Sequence, residues 1–378
     1  MITRAISESM LKSRKSILLL GPRQVGKSTL IKSLKPELTI NLADERTYLD
    51  HVSTPELIQD LIERKKAKTI FVDEVQRIPS ILNTIQAIVD ENPKLKFYLT
   101  GSSARKLKKQ GVNLLPGRVF NYQLGPLTLR EVGYKTKIED LAYGFLPEVW
   151  CSEDSKFKED LLSAYSANYI REEIKAESLV RNLDSFSRFL NSSASQVGNF
   201  IDYSKMSKDI KISRHACPRY FEIFEDTLIG NRIYPDQEFI EKYDLIKHPK
   251  FYFFDVGVYN GLIRNFNVSL DRQGALFEQV VYSQLLHSAN ALRKNIEINS
   301  FRTRGGLEID FMVRLDQELF AIEVKSAKEV SDSDVASLLR LKKDEKIKPI
   351  LFFQGKNARK INGVWCLPWA EGIKELGL

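Results

Sequence analysis

The sequence predicts a mixed α/β chain of several domains. A parallel nucleotide-binding sheet comes first, then a helical segment, a winged three-helix unit, and a small α/β domain with the residue layout of a metal-dependent nuclease. Three observations predict this. A short apolar run leads into Gly21-Pro22-Arg23-Gln24-Val25-Gly26-Lys27-Ser28-Thr29. From Asp184 to Leu228, apolar residues recur at helical spacing around one tight connection. Asp310 is followed thirteen residues later by Glu323, with Lys325 two residues beyond it. At roughly 150 residues per domain, 378 residues allow two or three domains. The expected divisions are 1–135 for the nucleotide-binding core, 136–183 for a helical lid, 184–269 for a winged helix and 270–378 for the nuclease-like domain.

The front segment opens with an apolar strand, Ile17 to Leu20, and continues into a helix marked by Leu30, Ile31 and Leu34. Gly21 to Ser28 matches G-x-x-x-x-G-K-[ST] in the strand–loop–helix context that pattern requires. The glycines let backbone N–H groups curl around phosphates, and the helix N-terminus adds a favourable dipole. Lys27 neutralises phosphate charge and Ser28 holds Mg²⁺ in this reading. A second apolar strand, Ile70 to Val72, ends in Asp73 and Glu74. Asp73 is expected to bind Mg²⁺ through water, and Glu74 to polarise the attacking water.

A third strand ends in Thr100-Gly101-Ser102-Ser103. Ser102 is the candidate for sensing the terminal phosphate, and equally a cap for a following helix. Arg118 is a candidate finger reaching a neighbouring subunit's phosphate, which requires an oligomer; a structural ion pair is the alternative. Residues 139–183 read as helical and acidic.

In the middle segment, Phe186, Phe189 and Leu190 face inward on a first helix, and Met206 and Ile210 on a short second one. The third runs from about Arg214 to Leu228, with Ser213 as its cap. Helix, short turn, helix is a nucleic-acid-reading pattern, although such units also bind proteins or act as spacers. Arg214, His215 and Arg219 are the candidates to face a groove, and Lys205, Lys208 and Lys211 to hold phosphates. His215 alone reads as a surface histidine. Phe251 to Phe254 is the expected wing strand.

At the end, an amphipathic helix carries Glu278, one strand carries Asp310, and the next carries Glu323 and Lys325 on one face. The carboxylates are expected to bind Mg²⁺ or Mn²⁺, with Lys325 orienting water or neutralising phosphate. A helix and a strand then close the domain.

The net charge is +8. It is concentrated in residues 1–130, with 22 Lys/Arg against 12 Asp/Glu, whereas residues 131–183 carry 7 against 11. A basic surface favours polyanions such as DNA, and it also serves solubility alone. No apolar run approaches the ~20 residues that span a bilayer, and the first residues lack the apolar core of a signal peptide. Cys151, Cys217 and Cys366 lie far apart, which fits a reducing cytoplasm.

Together, "GPRQVGKST", "IFVDEVQRIPSIL", "LTGSSA", "ISRHACPRYFEIFEDT", "KFYFFDVGVYNGL" and "EIDFMV…AIEVKSA" resemble a family of bacterial and archaeal ATP-binding proteins. Its members pair an N-terminal AAA-type domain with a C-terminal domain of unknown function that contains a winged helix and a restriction-endonuclease-like fold. The resemblance covers essentially the whole chain. It implies ATP hydrolysis by Lys27, Ser28, Asp73 and Glu74, and a nuclease-like set of Glu278, Asp310, Glu323 and Lys325. The resulting expectation is a DNA-dependent ATPase of repair, recombination or defence. An ATP-regulated DNA nuclease and a nucleotide-operated switch with a protein partner are its rivals.

Overall fold

Ser16–Leu20 carries no charged side chain, forms strand β1, and is buried at every position. The computed structural model describes residues 2–102, 115, 117–165, 183–342 and 344–378. β1 is joined by β2 (Leu38–Asn41), β3 (Thr69–Asp73), β4 (Lys96–Gly101) and β5 (Val119–Gln123). The strand order is β2-β3-β4-β1-β5, and every pairing is parallel. Burial on both faces explains the unbroken apolar runs. Leu18, Leu20, Ile70, Val72, Phe97 and Leu99 pack with Ile58, Ile62, Ile81, Leu82 and Ile85. The alternate residues Ile17, Leu19, Phe71 and Tyr98 are buried as well. Because β4 lies between β1 and β3, its last residues come between the loop after β1 and the acids after β3.

The chain divides into two compact units, Met1–Gly125 with Asp226–Leu228, and Pro126–Glu225 with Ile229–Leu378. The second unit begins with short helices Asp140–Tyr143, Pro147–Cys151 and Ser155–Ala164. The rest of the expected lid, 166–182, lies outside the described residues. Side chains of this unit stitch its first segment in place. Gln284 accepts from the Leu129 N–H at 2.8 Å and donates to the Leu127 carbonyl at 3.1 Å. Buried Asp255 accepts from the Phe145, Gly257 and Val258 N–H groups. Asn260 donates to the Leu141 and Ala142 carbonyls.

Helices Leu183–Ala194, Tyr203–Asp209 and Ala216–Asp226 follow. Asp202 caps the second through the Ser204 and Lys205 N–H groups, and Ser213 accepts from the Ala216 N–H at 3.2 Å. Phe186, Phe189, Phe221 and Phe224 make an aromatic core in which edge-to-face contacts predominate. β6 (Gly230–Ile233) and β7 (Lys250–Phe253) pair antiparallel, and Val197 and Phe200 bridge to β7. The expected wing strand is therefore present, but the connection into it is not free. Pro235 and Leu245 bridge to Ser300 and Thr303, and Phe239 packs with Phe301, Ile309 and Met312.

The last domain is built on a 23-residue helix, Leu270–Leu292, much of it buried. β8 (Ile296–Arg302), β9 (Glu308–Leu315) and β10 (Glu318–Lys325) form an antiparallel meander. Helix Ala336–Leu341 leads to β11 (Ile347–Phe353), parallel to β10. β12 (Arg359–Ile361) and β13 (Val364–Pro368) complete the order β12-β13-β11-β10-β9-β8. The Pro235 and Leu245 contacts thus cover the edge strand β8, where open backbone groups would otherwise invite pairing with another chain.

Candidate functional site

The loop after β1 turns through left-handed backbone at Gln24 (φ 62°) and Gly26 (φ 90°). A Cβ on Gly21 would lie 2.2 Å from the Leu124 carbonyl oxygen, so only glycine lets the loop pass the end of β5. Lys27 is 5% exposed, and its Nζ donates to the Gly21 and Pro22 carbonyls, each at 2.8 Å. Arg4, unremarked in the sequence, braces the loop by donating to the Val25 carbonyl at 2.7 Å and the Gly125 carbonyl at 2.8 Å. Pro22 and Val25 are buried, Arg23 is half-buried, and Thr29 is exposed.

The structure brings Ser28 and Asp73 together. The Ser28 hydroxyl donates to Asp73 Oδ1 at 3.0 Å, and Thr100 Oγ1 donates to the same oxygen. Thr100 Oγ1 also accepts from the Glu74 N–H at 3.2 Å, which ties the two acidic residues to the end of β4. Glu74 sits in the left-handed region (φ 60°), a conformation that costs a non-glycine residue energy. Buried Gln76 donates to the Glu74 carboxylate and, at 2.9 Å, to the Ser102 hydroxyl. A hydroxyl and a carboxylate side by side fit Mg²⁺, which takes one directly and the other through water. Thr100, rather than Ser102, is the hydroxyl against Asp73. Arg118 makes a paired contact with Asp90, Nε at 2.9 Å and Nη2 at 3.1 Å, on the partly exposed surface.

A glycine-rich loop ending in a buried lysine, a parallel sheet with β4 between β1 and β3, and an acidic pair after β3 decide the class. The front of the chain is an AAA domain. The family of that description matches residues 13–133. Two domains of unknown function follow, DUF8612 over 136–269 and DUF4143 over 273–371. No curated protein matches the chain. Among solved structures, a replication initiator DnaA bound to AMPPCP and single-stranded DNA shares 12% identity over 58% of this chain and 86% of its own (TM-score 0.29). Pif1 helicases at forked duplex DNA share 13% over 48% of this chain and 59% of theirs (0.23). An Hsp104–ADP complex of S. cerevisiae shares 11% over 76% of this chain and 42% of its own (0.29). Likeness this low carries no argument about what the AAA domain of this chain acts on.

Away from the AAA domain, the expected nuclease-like residues are brought together, with additions. Asp310 on β9 faces β10 and accepts from the Val324 N–H at 2.8 Å. Glu323 is buried, and one of its oxygens accepts from Lys325 Nζ at 2.7 Å. Its other oxygen has no partner among the described residues. Glu278 arrives from the long helix. Its Oε1 accepts from the Tyr252 hydroxyl and from Lys250 Nζ at 3.3 Å. Lys250, on β7, is 1% exposed and also meets Glu308 at 3.0 Å.

Burial, then the charges of Glu278 and Glu323, push the Asp310 carboxyl well above its usual range, against the pull of Lys250. Burial also raises Glu323, with Lys325 opposing. For Lys250, burial disfavours the ammonium, yet Glu278, Asp310 and Glu308 more than offset it and hold its proton tightly. Among the described residues, no three His, Cys, Asp or Glu side chains are gathered as ligands for a metal ion. The arrangement is an ion-paired cluster in which Lys250 meets Glu278 and Glu308, and Lys325 meets Glu323.

The six basic candidates for DNA contact all fall within residues 205–219. Lys205 and Lys208 are on helix Tyr203–Asp209, Lys211, Arg214 and His215 are in the turn, and Arg219 is on the next helix; all are exposed. Lys250 and Glu308 were not singled out in the sequence, although Glu308 lies two residues before Asp310, on the same strand face. Among the described residues, no helix is long and apolar enough to cross a membrane.

Proposed function

We propose that the chain is a Mg²⁺-dependent ATPase whose turnover is driven by DNA, with boundaries near 135, 183 and 269 separating the engine, the lid, the winged helix and the C-terminal domain. The observation that carries the ATPase reading is the Ser28–Asp73 contact at 3.0 Å beside a buried loop lysine. ATP would be held by the backbone of Gly21 to Thr29 and by Lys27, and Mg²⁺ by Ser28 and, through water, Asp73. The ion supplies charge neutralisation at the phosphates. Lys27 exchanges its loop carbonyls for phosphate oxygens. Glu74 orients and polarises a water, and Gln76 and Thr100 hold Glu74 in position until then. The exposed bases from Lys205 to Arg219 take the DNA backbone, a sequence-independent contact that weakens with salt.

One observation favours a second reading, a nucleotide-operated switch that binds a protein. The segment between β6 and β7 is docked on β8 and does not project as a wing. ATP turnover measured with Mg²⁺, alone and with single-stranded, duplex or branched DNA, separates the two. Stimulation by one DNA form, lost on combined Lys205, Lys208 and Lys211 substitution by alanine, is the expected result. Turnover indifferent to every DNA form would overturn the DNA reading in favour of the switch.

A further inference from the structure

Lys250 lies buried among the carboxylates of the expected nuclease-like set. It leaves the winged-helix strand β7, is 1% exposed, and puts Nζ 3.0 Å from Glu308 and 3.3 Å from Glu278. Those carboxylates come from the start of β9, the strand that also carries Asp310, and from the long helix. The Phe200 ring lies 5.3 Å from the ammonium and walls one side of it. Tyr252, stacked on Tyr282 with ring centroids 4.5 Å apart, donates to the same Glu278 oxygen and fixes its direction.

Mg²⁺ and Mn²⁺ bind carboxylate oxygens at about 2.0–2.2 Å and keep several waters. An ammonium paired with Glu278 and Glu308, and close enough to act on the Asp310 and Glu323 charges, already supplies positive charge to the carboxylates a divalent ion would need. A divalent ion entering beside it would meet like-charge repulsion in a poorly hydrated site. Lys325, about a third exposed, pairs with Glu323 at 2.7 Å.

We propose that Lys250 is the resident cation of the Glu278–Glu308–Asp310–Glu323 cluster, a lysine-filled counterpart of a divalent-metal site that admits no metal until the lysine is removed. The C-terminal domain is then held together through this cluster rather than catalysing metal-dependent strand cleavage with it. This goes beyond the ATPase reading and stands or falls separately from it, because DNA stimulation of turnover reports on neither Lys250 nor the cluster.

The test is Mn²⁺ binding to the full chain without nucleotide, read by the paramagnetic signal of free Mn²⁺. Asp73→Asn is present throughout to silence the front site. The parent protein is expected to show no site sensitive to Asp310→Asn. Lys250→Met is expected to create one, at least ~10-fold tighter than any parental binding and lost again in Lys250→Met with Asp310→Asn. A parental Mn²⁺ site removed by Asp310→Asn would overturn the proposal. So would a folded Lys250→Met protein that gains no site. If Lys250→Met does not fold, the parent alone decides through its thermal midpoint. A midpoint unmoved by Mn²⁺ supports the lysine-filled cluster, and one raised by Mn²⁺ but not in Asp310→Asn overturns it.

Discussion

Lys27, at the start of a helix, and Lys250, at the start of a strand, are both nearly inaccessible ammonium groups, yet they meet different partners. Lys27 donates to two loop carbonyls at 2.8 Å. Lys250 meets two carboxylates at 3.0 and 3.3 Å. An ammonium gains more from a charged oxygen than from a neutral carbonyl, because attraction between full charges adds to the hydrogen bond. Phosphate oxygens can therefore displace carbonyls from Lys27, whereas little displaces the carboxylates from Lys250. The comparison separates a lysine poised for an arriving anion from one already satisfied, although both look alike in sequence.

The largest expected effects test that contrast directly. Glu74→Gln should lower ATP turnover ~10²–10⁴-fold while nucleotide binding persists, since only the water-polarising group is lost. Lys27→Ala should lower turnover by at least ~10²-fold with little change in unfolding midpoint. Lys250→Ala should do the reverse to stability. It strands the half-buried Glu278 and Glu308 without their cation, a loss at or below the lower end of about 3–5 kcal/mol by denaturant titration of the second unit. If Lys27→Ala unfolds the protein and Lys250→Ala does not, the assignment of poised and satisfied lysines is backwards.

A smaller effect sharpens the second half of the comparison. Asp310 and Glu323 carry raised pKa values in the folded chain, so the native cluster keeps protons that the unfolded chain has released. Native protein binding more protons means stability that grows as pH falls. Above the ordinary carboxylate range, the unfolding midpoint should rise as acid is added. Asp310→Asn should flatten that slope. A midpoint that falls over this range would show the cluster to be fully ionised, with Lys250 and Lys325 outweighing burial.

How legible each region was follows from how local its signals are. The loop from Gly21 to Thr29 is contiguous, so residue types and spacing alone identify it, and the apolar run before Asp73 marks the second acidic strand. Strand order is not written locally. Thr100 and Gln76 matter because β4 lies between β1 and β3, and Ser102, not Thr100, was the hydroxyl expected near the phosphate. Arg4 could not be picked out because its targets, Val25 and Gly125, are backbone carbonyls, which leave no trace in side-chain type. In the C-terminal domain, Asp310, Glu323 and Lys325 were legible from period-two alternation. Lys250 was not, because it comes from a strand sixty residues before Asp310 and reaches the cluster only through tertiary packing. The docked segment between β6 and β7 was hidden for a similar reason, since isolated bridges at Pro235 and Leu245 make no sequence pattern.

The smallest prediction concerns which hydroxyl of the AAA domain responds to nucleotide. Thr100 Oγ1 touches the Asp73 carboxylate and the Glu74 N–H, whereas Ser102 Oγ meets Gln76. Thr100→Val keeps the shape and removes the hydroxyl, so the Asp73 oxygen loses a donor and the Glu74 N–H loses its acceptor. A hydrogen bond of this kind contributes about 1–1.5 kcal/mol, which corresponds to a turnover loss of roughly tenfold. Ser102→Ala acts one step further away, through Gln76, and should cost less than Thr100→Val. Single-turnover ATP hydrolysis on both variants ranks them. A larger loss for Ser102→Ala would return the sensing role to Ser102, and would mean that Gln76 swings aside when nucleotide binds and leaves the serine hydroxyl facing the phosphate.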